Sequence, residues 1–267
     1  MCKNLLFALS PNPPSNWLDL KSDGNVTNGV SLIATEIKYM HPFISRLIAA
    51  FLFIVTFNLA NATEEDGRAW INLQANGATG IDNLRWYMEL QPRYREEARE
   101  RDQFFIRPAL YYQLDKMNSV WLGYAYVRTF TDNPFTQREH RYWQQFAHEF
   151  APINGMRLRS FTRLEQRTFE GTNDTGHKIR QRLMLNIPFD NHANLSTLIS
   201  EEYHHNFNDT DYGAGRGFDQ NRLFAGLAWV INPSVSVETG YLNQYIRRRH
   251  EDAMNHIFST TLYFKFD

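Results

Sequence analysis

The sequence predicts an all-β fold, an antiparallel transmembrane up-and-down β-barrel of twelve strands, with ten as the alternative count. Three observations carry that expectation. Apolar and polar residues alternate with period two over most of the chain. Short turns interleave with longer polar loops, and the final strand is an aromatic alternation ending at Phe266.

The clearest alternation is segment 84–95. Leu84, Trp86, Met88, Leu90 and Tyr94 interleave with Arg85, Tyr87, Glu89, Gln91, Arg93 and Arg95. A helix of period 3.6 would mix these two sets around its axis, whereas a strand sends them to opposite faces. Segment 103–114 sets Ile106, Leu110 and Tyr112 against Arg107, Tyr111 and Gln113. After the turn Asp115-Lys116-Met117-Asn118 comes segment 119–130. Segment 140–150 then opposes Tyr142, Phe146 and Phe150 to Arg141, Gln145 and Glu149. Segment 156–168 puts Arg157, Arg159, Arg163, Glu165 and Arg167 on one face, and 177–187 does the same with Lys178, Arg180 and Arg182. Further strands are expected at 194–204, 221–231, 234–246 and 255–266. With 68–76 the count is eleven, and the even number usual in bacterial single-chain barrels moves the expectation to twelve, or to ten if 68–76 is no wall strand.

Turns at 152–155, 190–192 and 232–233 are short, and those at 131–139, 170–176, 205–219 and 247–253 are longer and polar. Short periplasmic turns with longer external loops are the usual asymmetry of such barrels. The last strand, with Phe258, Thr260, Leu262, Phe264 and Phe266 on one face, resembles the signal that delivers barrels to the assembly machinery.

Composition agrees. Mean hydropathy is -0.51 and 21% of residues are charged, values that alternating strands permit in a membrane wall. Aromatic residues reach 15%, and a net charge of -1 gives no argument for a nucleic-acid partner. From Thr63 onward the basic residues are 21 Arg against 3 Lys. The guanidinium fork suits fixed, multiply bonded ion pairs, so this bias points to a structured polar interior. The single cysteine, Cys2, excludes a disulfide framework and a cysteine metal site. No cofactor is expected.

The N-terminal part reads as two units. Residues 1–39, with Pro11, Pro13 and Pro14, show no periodicity and are expected to be a non-native extension from a misassigned gene start. Residues 40–62 have the anatomy of a signal peptide: Met40, basic His41 and Arg46, an apolar run over 47–59, and Ala60-Asn61-Ala62 for cleavage. A signal-anchor helix is the alternative. The barrel is expected over 63–267, in the bacterial outer membrane.

Several strand segments are also familiar. Arg141-Tyr142-Trp143-Gln144-Gln145, Arg157-Leu158-Arg159, Arg163-Leu164-Glu165-Gln166-Arg167, Arg180-Gln181-Arg182-Leu183 and Gln220 to Leu227 together resemble the domain-of-unknown-function 2490 family over roughly Trp70 to Phe266. That resemblance implies an outer-membrane barrel. It supplies no activity and no catalytic residues.

Function is therefore sought on the inward face, where Arg85, Glu89, Arg93, Arg107, Arg141, Glu149, Arg157, Arg159, Arg163, Glu165, Arg167, Arg180, Arg182 and Arg222 are expected. One reading is a narrow channel that favours small anionic solutes. Another is a closed structural or adhesion barrel with a salt-bridged core, in contact with partners through the 205–219 loop. A third is a hydrolase with a rim site near Glu202, His204, His205, Asp209 and Asp211. Adjacent His204 and His205 point to opposite faces of a strand, which argues against the third. A soluble β-sandwich or lipocalin-like barrel is the alternative fold; it would turn its apolar face inward and leave the arginine rows unexplained.

Overall fold

A computed structural model describes residues 64–131, 136–189, 192–248 and 251–266. The expected extension at 1–39 and signal peptide at 40–62 lie outside the described residues. Among those described are eleven strands: β1 (Glu64–Ala78), β2 (Leu84–Arg95), β3 (Glu100–Gln113), β4 (Asn118–Thr129), β5 (Gln137–Glu149), β6 (Arg157–Phe169), β7 (Gly176–Phe189), β8 (His192–Asn206), β9 (Gly217–Asn232), β10 (Val235–Ile246) and β11 (Ala253–Phe266). Each pairs antiparallel with its sequence neighbours, and β1 pairs with β11 to close the barrel.

The twelve-strand expectation is corrected to eleven. Segment 68–76 belongs to wall strand β1, and among the described residues no further strand restores an even count. An odd number of alternating strands brings first and last into the same direction, so the seam is parallel. It runs in unbroken register from Glu64↔Ala253 to Gly77↔Phe266. Parallel pairing is only slightly less stable per residue than antiparallel pairing, so closure does not require an even number.

The pleat sorts the side chains as the alternation requires. Leu73, Ile106, Leu110, Leu122, Leu164, Leu227 and Phe258 are exposed on the outer wall. Glu89, Arg93, Arg107, Gln145, Glu165 and Lys178 are buried inside. Apolar packing survives within as a patch of Met184, Leu198 and Phe224 with partly buried Phe161, Ala228 and Leu242; Phe105, Val127 and Trp143 are buried as well.

Glycine creates room at two places in the wall. A Cβ at Gly123 would overlap the indole of Trp143, its neighbour in the β4–β5 register. Gly226 and Gly240 face each other across β9 and β10, and a Cβ on either would run into the opposite backbone. The walls there approach too closely for any side chain.

The rims differ. At one lie the turns after β1, β3, β5, β7 and β9; the loops after β4, β6, β8 and β10 crowd the other. In the turn after β3, Asp115 accepts hydrogen bonds from the backbone N–H groups of Met117 and Asn118 and from the Asn118 amide. Those donors, the Asn118 amide foremost, hold its carboxyl below the usual range. The turn after β2 is strained: Glu96, Glu97 and Ala98 take φ of 52°, 56° and 67° in succession. L-residues pay roughly 1–2 kcal/mol each in that region. The strain is met by bonds from the Glu97 N–H to the Gly67 carbonyl and from the Glu96 N–H to Asp66.

Two substitutions test this account. Ala98→Gly relieves strain and is expected to raise stability by about 1 kcal/mol in urea unfolding of the folded barrel. Gly123→Val is expected to expel Trp143 from its slot, with a red-shifted tryptophan emission and a lowered melting temperature.

Candidate functional site

Alternate residues of every strand project into the lumen, and the arginine-rich strands β6 and β7 lie side by side. Their inward residues meet those of β1 to β3 and of β8 to β11 around two cavities. The larger, about 620 Å³, reaches the short-turn rim at the β9–β10 turn. The smaller, about 260 Å³, lies toward the long-loop rim. Trp70, Arg93, Arg107, Arg180 and Arg222 border both and form the partition between them.

Carboxylates organise the partition and the layer above it. Glu139 accepts both guanidinium nitrogens of Arg141, at 2.6 and 2.7 Å, and is also bonded by Arg167. Glu165 takes Arg180 at 2.6 Å, and the same guanidinium reaches Glu202 at 2.5 Å. Glu202 further accepts from Arg222 and lies 3.2 Å from the buried His204 Nε2. Arg107 binds both oxygens of Glu89, whose Oε2 also accepts from Tyr87. Toward the long-loop rim Lys178 meets Asp219 at 2.6 Å, and Arg68 bridges Asp66 and Asp102.

Asp219 reaches the lumen because the β8–β9 register shifts at His204/His205, which adds a residue to β9 between Phe218 and Gln220. A bulge of this kind re-aims one side chain.

Aromatic faces carry part of the remaining charge. Arg93 lies between Trp70 and Phe105, 3.7 and 4.2 Å from their centroids. Arg163 stacks 4.1 Å over Trp143. Desolvated cation–π contacts of this type contribute on the order of 2 kcal/mol. Donors still outnumber acceptors: Trp70 Nε1, Trp143 Nε1, Arg93 Nε and Arg222 Nε are buried without a hydrogen-bond acceptor, as is Arg163 Nη1, which has only a 3.9 Å ion pair with Glu165.

The structure places Glu89, Arg93, Arg107, Arg157, Arg159, Arg163, Arg180, Arg182 and Arg222 on the larger cavity, and Arg141, Glu165 and Arg167 on the smaller. Arg85 and Glu149 border neither. Arg85 donates to the Phe266 carbonyl at the short-turn rim, and Glu149 faces Arg159 in the β5–β6 register. Sequence reasoning missed Glu139 because it started β5 at 140, three residues after Gln137. It also left Glu202 to the rim, although the parity of β8 with inward Ser200 marks it as interior. His204 turns inward and His205 outward, against Tyr203. No group of three or more His, Cys, Asp or Glu suited to a metal ion occurs among the described residues.

Loss of a central carboxylate is the sharpest test of this network. Glu139→Gln leaves Arg141 and Arg167 without their counter-charge, and breaking a buried pair costs about 3–5 kcal/mol. Denaturant unfolding should show that loss, and the added substitution Arg167→Gln should recover part of it.

The comparisons with known proteins agree with one another. A model of a family described as "Protein of unknown function (DUF2490)" matches residues 67–255. An uncharacterized protein of Methylorubrum extorquens is 31% identical over 223 residues, covering 82% of this chain and 97% of that one. No solved structure matches. With the matched region spanning β1 to the start of β11, the chain, itself a closed β-barrel, belongs to the DUF2490 family.

Proposed function

We propose that this protein is an outer-membrane β-barrel whose lumen is a narrow, anion-favouring passage. The observation that carries the reading is the inverted polarity of the wall: exposed apolar residues outside, a cationic interior inside. Water does not favour so continuous an apolar surface, and lipid does.

Two aromatic bands on the outer face support membrane placement. Toward the long-loop rim are Tyr124 with His140, Tyr203 with His205 and Tyr241 with His256. Toward the short-turn rim are Tyr112, Phe150, Phe189 and the stacked pair Trp86–Phe266. Leu110, Leu122 and Leu164 lie between them. Amphipathic rings suit the headgroup levels and aliphatic side chains the hydrocarbon. In this orientation the short turns are periplasmic.

Selectivity comes from the lining. Eight arginines and Lys265 border the larger cavity against Glu89, Glu202 and Glu238. Rings of arginine admit anions and repel cations. The partition sets the constriction, with Arg93 at its centre, held by stacking and by Gln91 and Gln103 rather than by a carboxylate.

Planar-bilayer recording of the refolded protein tests the reading. Under a KCl gradient the reversal potential should lie toward chloride, and Arg93→Ala should raise the single-channel conductance. Folded protein that never opens would place it with closed, salt-bridged barrels instead.

A further inference from the structure

The arginines are not equally served. Apart from Arg93, those of the partition and the layer above share Glu89, Glu139, Glu165 and Glu202. Below them, on the same two strands, Arg157, Arg159 and Arg182 have no ion pair among the described residues. Arg159 donates to the Met184 sulfur at 3.0 Å and Arg182 to the Ser200 hydroxyl at 3.2 Å, both weak substitutes for a carboxylate. The carboxylates that register offers are withheld. Glu202 lies opposite Arg182 but is bonded by Arg180 and Arg222. Glu149 lies opposite Arg159 and borders no cavity. Glu238, across the cavity, accepts from Tyr263.

The same cavity is lined by donors with nothing to donate to. Trp143 is only 1% exposed, and its Nε1 has no acceptor; Arg163 Nη1, stacked on the same ring, makes no hydrogen bond and has only a long 3.9 Å ion pair with Glu165. Buried donors without partners cost about 1–3 kcal/mol each, more when charged. Unpaired guanidinium forks and unpaired indole N–H groups around one space are complementary to oxygen anions.

We propose that the larger cavity is a binding site for a small organic polyanion, a molecule with two or more carboxylate or phosphate groups, held by Arg157, Arg159 and Arg182. Three separate cations in a row select for multiple negative charges over a single one. A space of about 620 Å³ suits a metabolite-sized molecule and not a polymer. Phe161 and Trp121 supply apolar wall for its carbon frame. The site rests on the proposed anion-favouring passage and adds a resting place on the periplasmic side of its constriction.

Calorimetric titration of the micelle-folded protein with citrate and with pyrophosphate, at fixed ionic strength in chloride, is the test. Both probes should bind at one site and compete for it. Arg182→Gln alone should weaken them at least tenfold, and Arg157→Gln/Arg159→Gln/Arg182→Gln should abolish saturation. Arg138→Gln at the exposed long-loop rim should change nothing. Absence of saturable binding to the folded wild type, or equal affinity in Arg182→Gln, would overturn the site. Anion-selective current without citrate binding removes this site and leaves the passage; citrate binding without current does the reverse.

Discussion

Guanidinium groups lose their hydration at great cost, and a barrel with β6 and β7 side by side forces many of them into one lumen. The arrangement holds because four carboxylates each serve more than one donor. Glu139 takes Arg141 and Arg167; Glu202 takes Arg180, Arg222 and His204; Glu165 and Glu89 complete the layer. Everything else in the interior follows from that shortage. Arg93 turns to aromatic faces and to Gln91 and Gln103 in place of a carboxylate, and Arg163 stacks on Trp143 with Glu165 held off at 3.9 Å. Gly123 is required because Trp143, one of those faces, needs the space of a side chain.

Stability and function thus compete for the same residues. Where carboxylates are shared, the lumen is filled and the two cavities are divided. Where they run out, toward the short-turn rim, the larger cavity stays open and cationic. Neutralising every arginine would close the barrel into a solid core, and neutralising none would leave buried charges too costly to fold around. The residue pattern of β6 lies between these limits: Glu165 is set among Arg157, Arg159, Arg163 and Arg167.

The barrel was legible in the sequence because period two is a local signal, readable from Arg85 and Trp86 without knowing any partner. The same parity marked the lumen face on most strands. Ion-pair partners were not legible, since they depend on register across strands far apart in sequence. Asp219 meets Lys178 only through a bulge that no periodicity announces. The strand count was read correctly as eleven and then moved to twelve by a general rule. What that rule omits is the tolerance of a sheet for one parallel seam, and nothing in β1 or β11 alone reveals which seam will form.

That seam fixes a polarity on the molecule. Eleven strands cannot be divided into hairpins, so the wall is five hairpins and one strand over. The chain enters the wall at one mouth and leaves it at the other. A barrel of paired hairpins can be cut at any turn and rejoined through a short linker; here a linker from Phe266 to Glu64 would have to span the full height of the wall. Circular permutation, which a short linker permits in a barrel of paired hairpins, therefore needs in this one a linker as long as the wall is high.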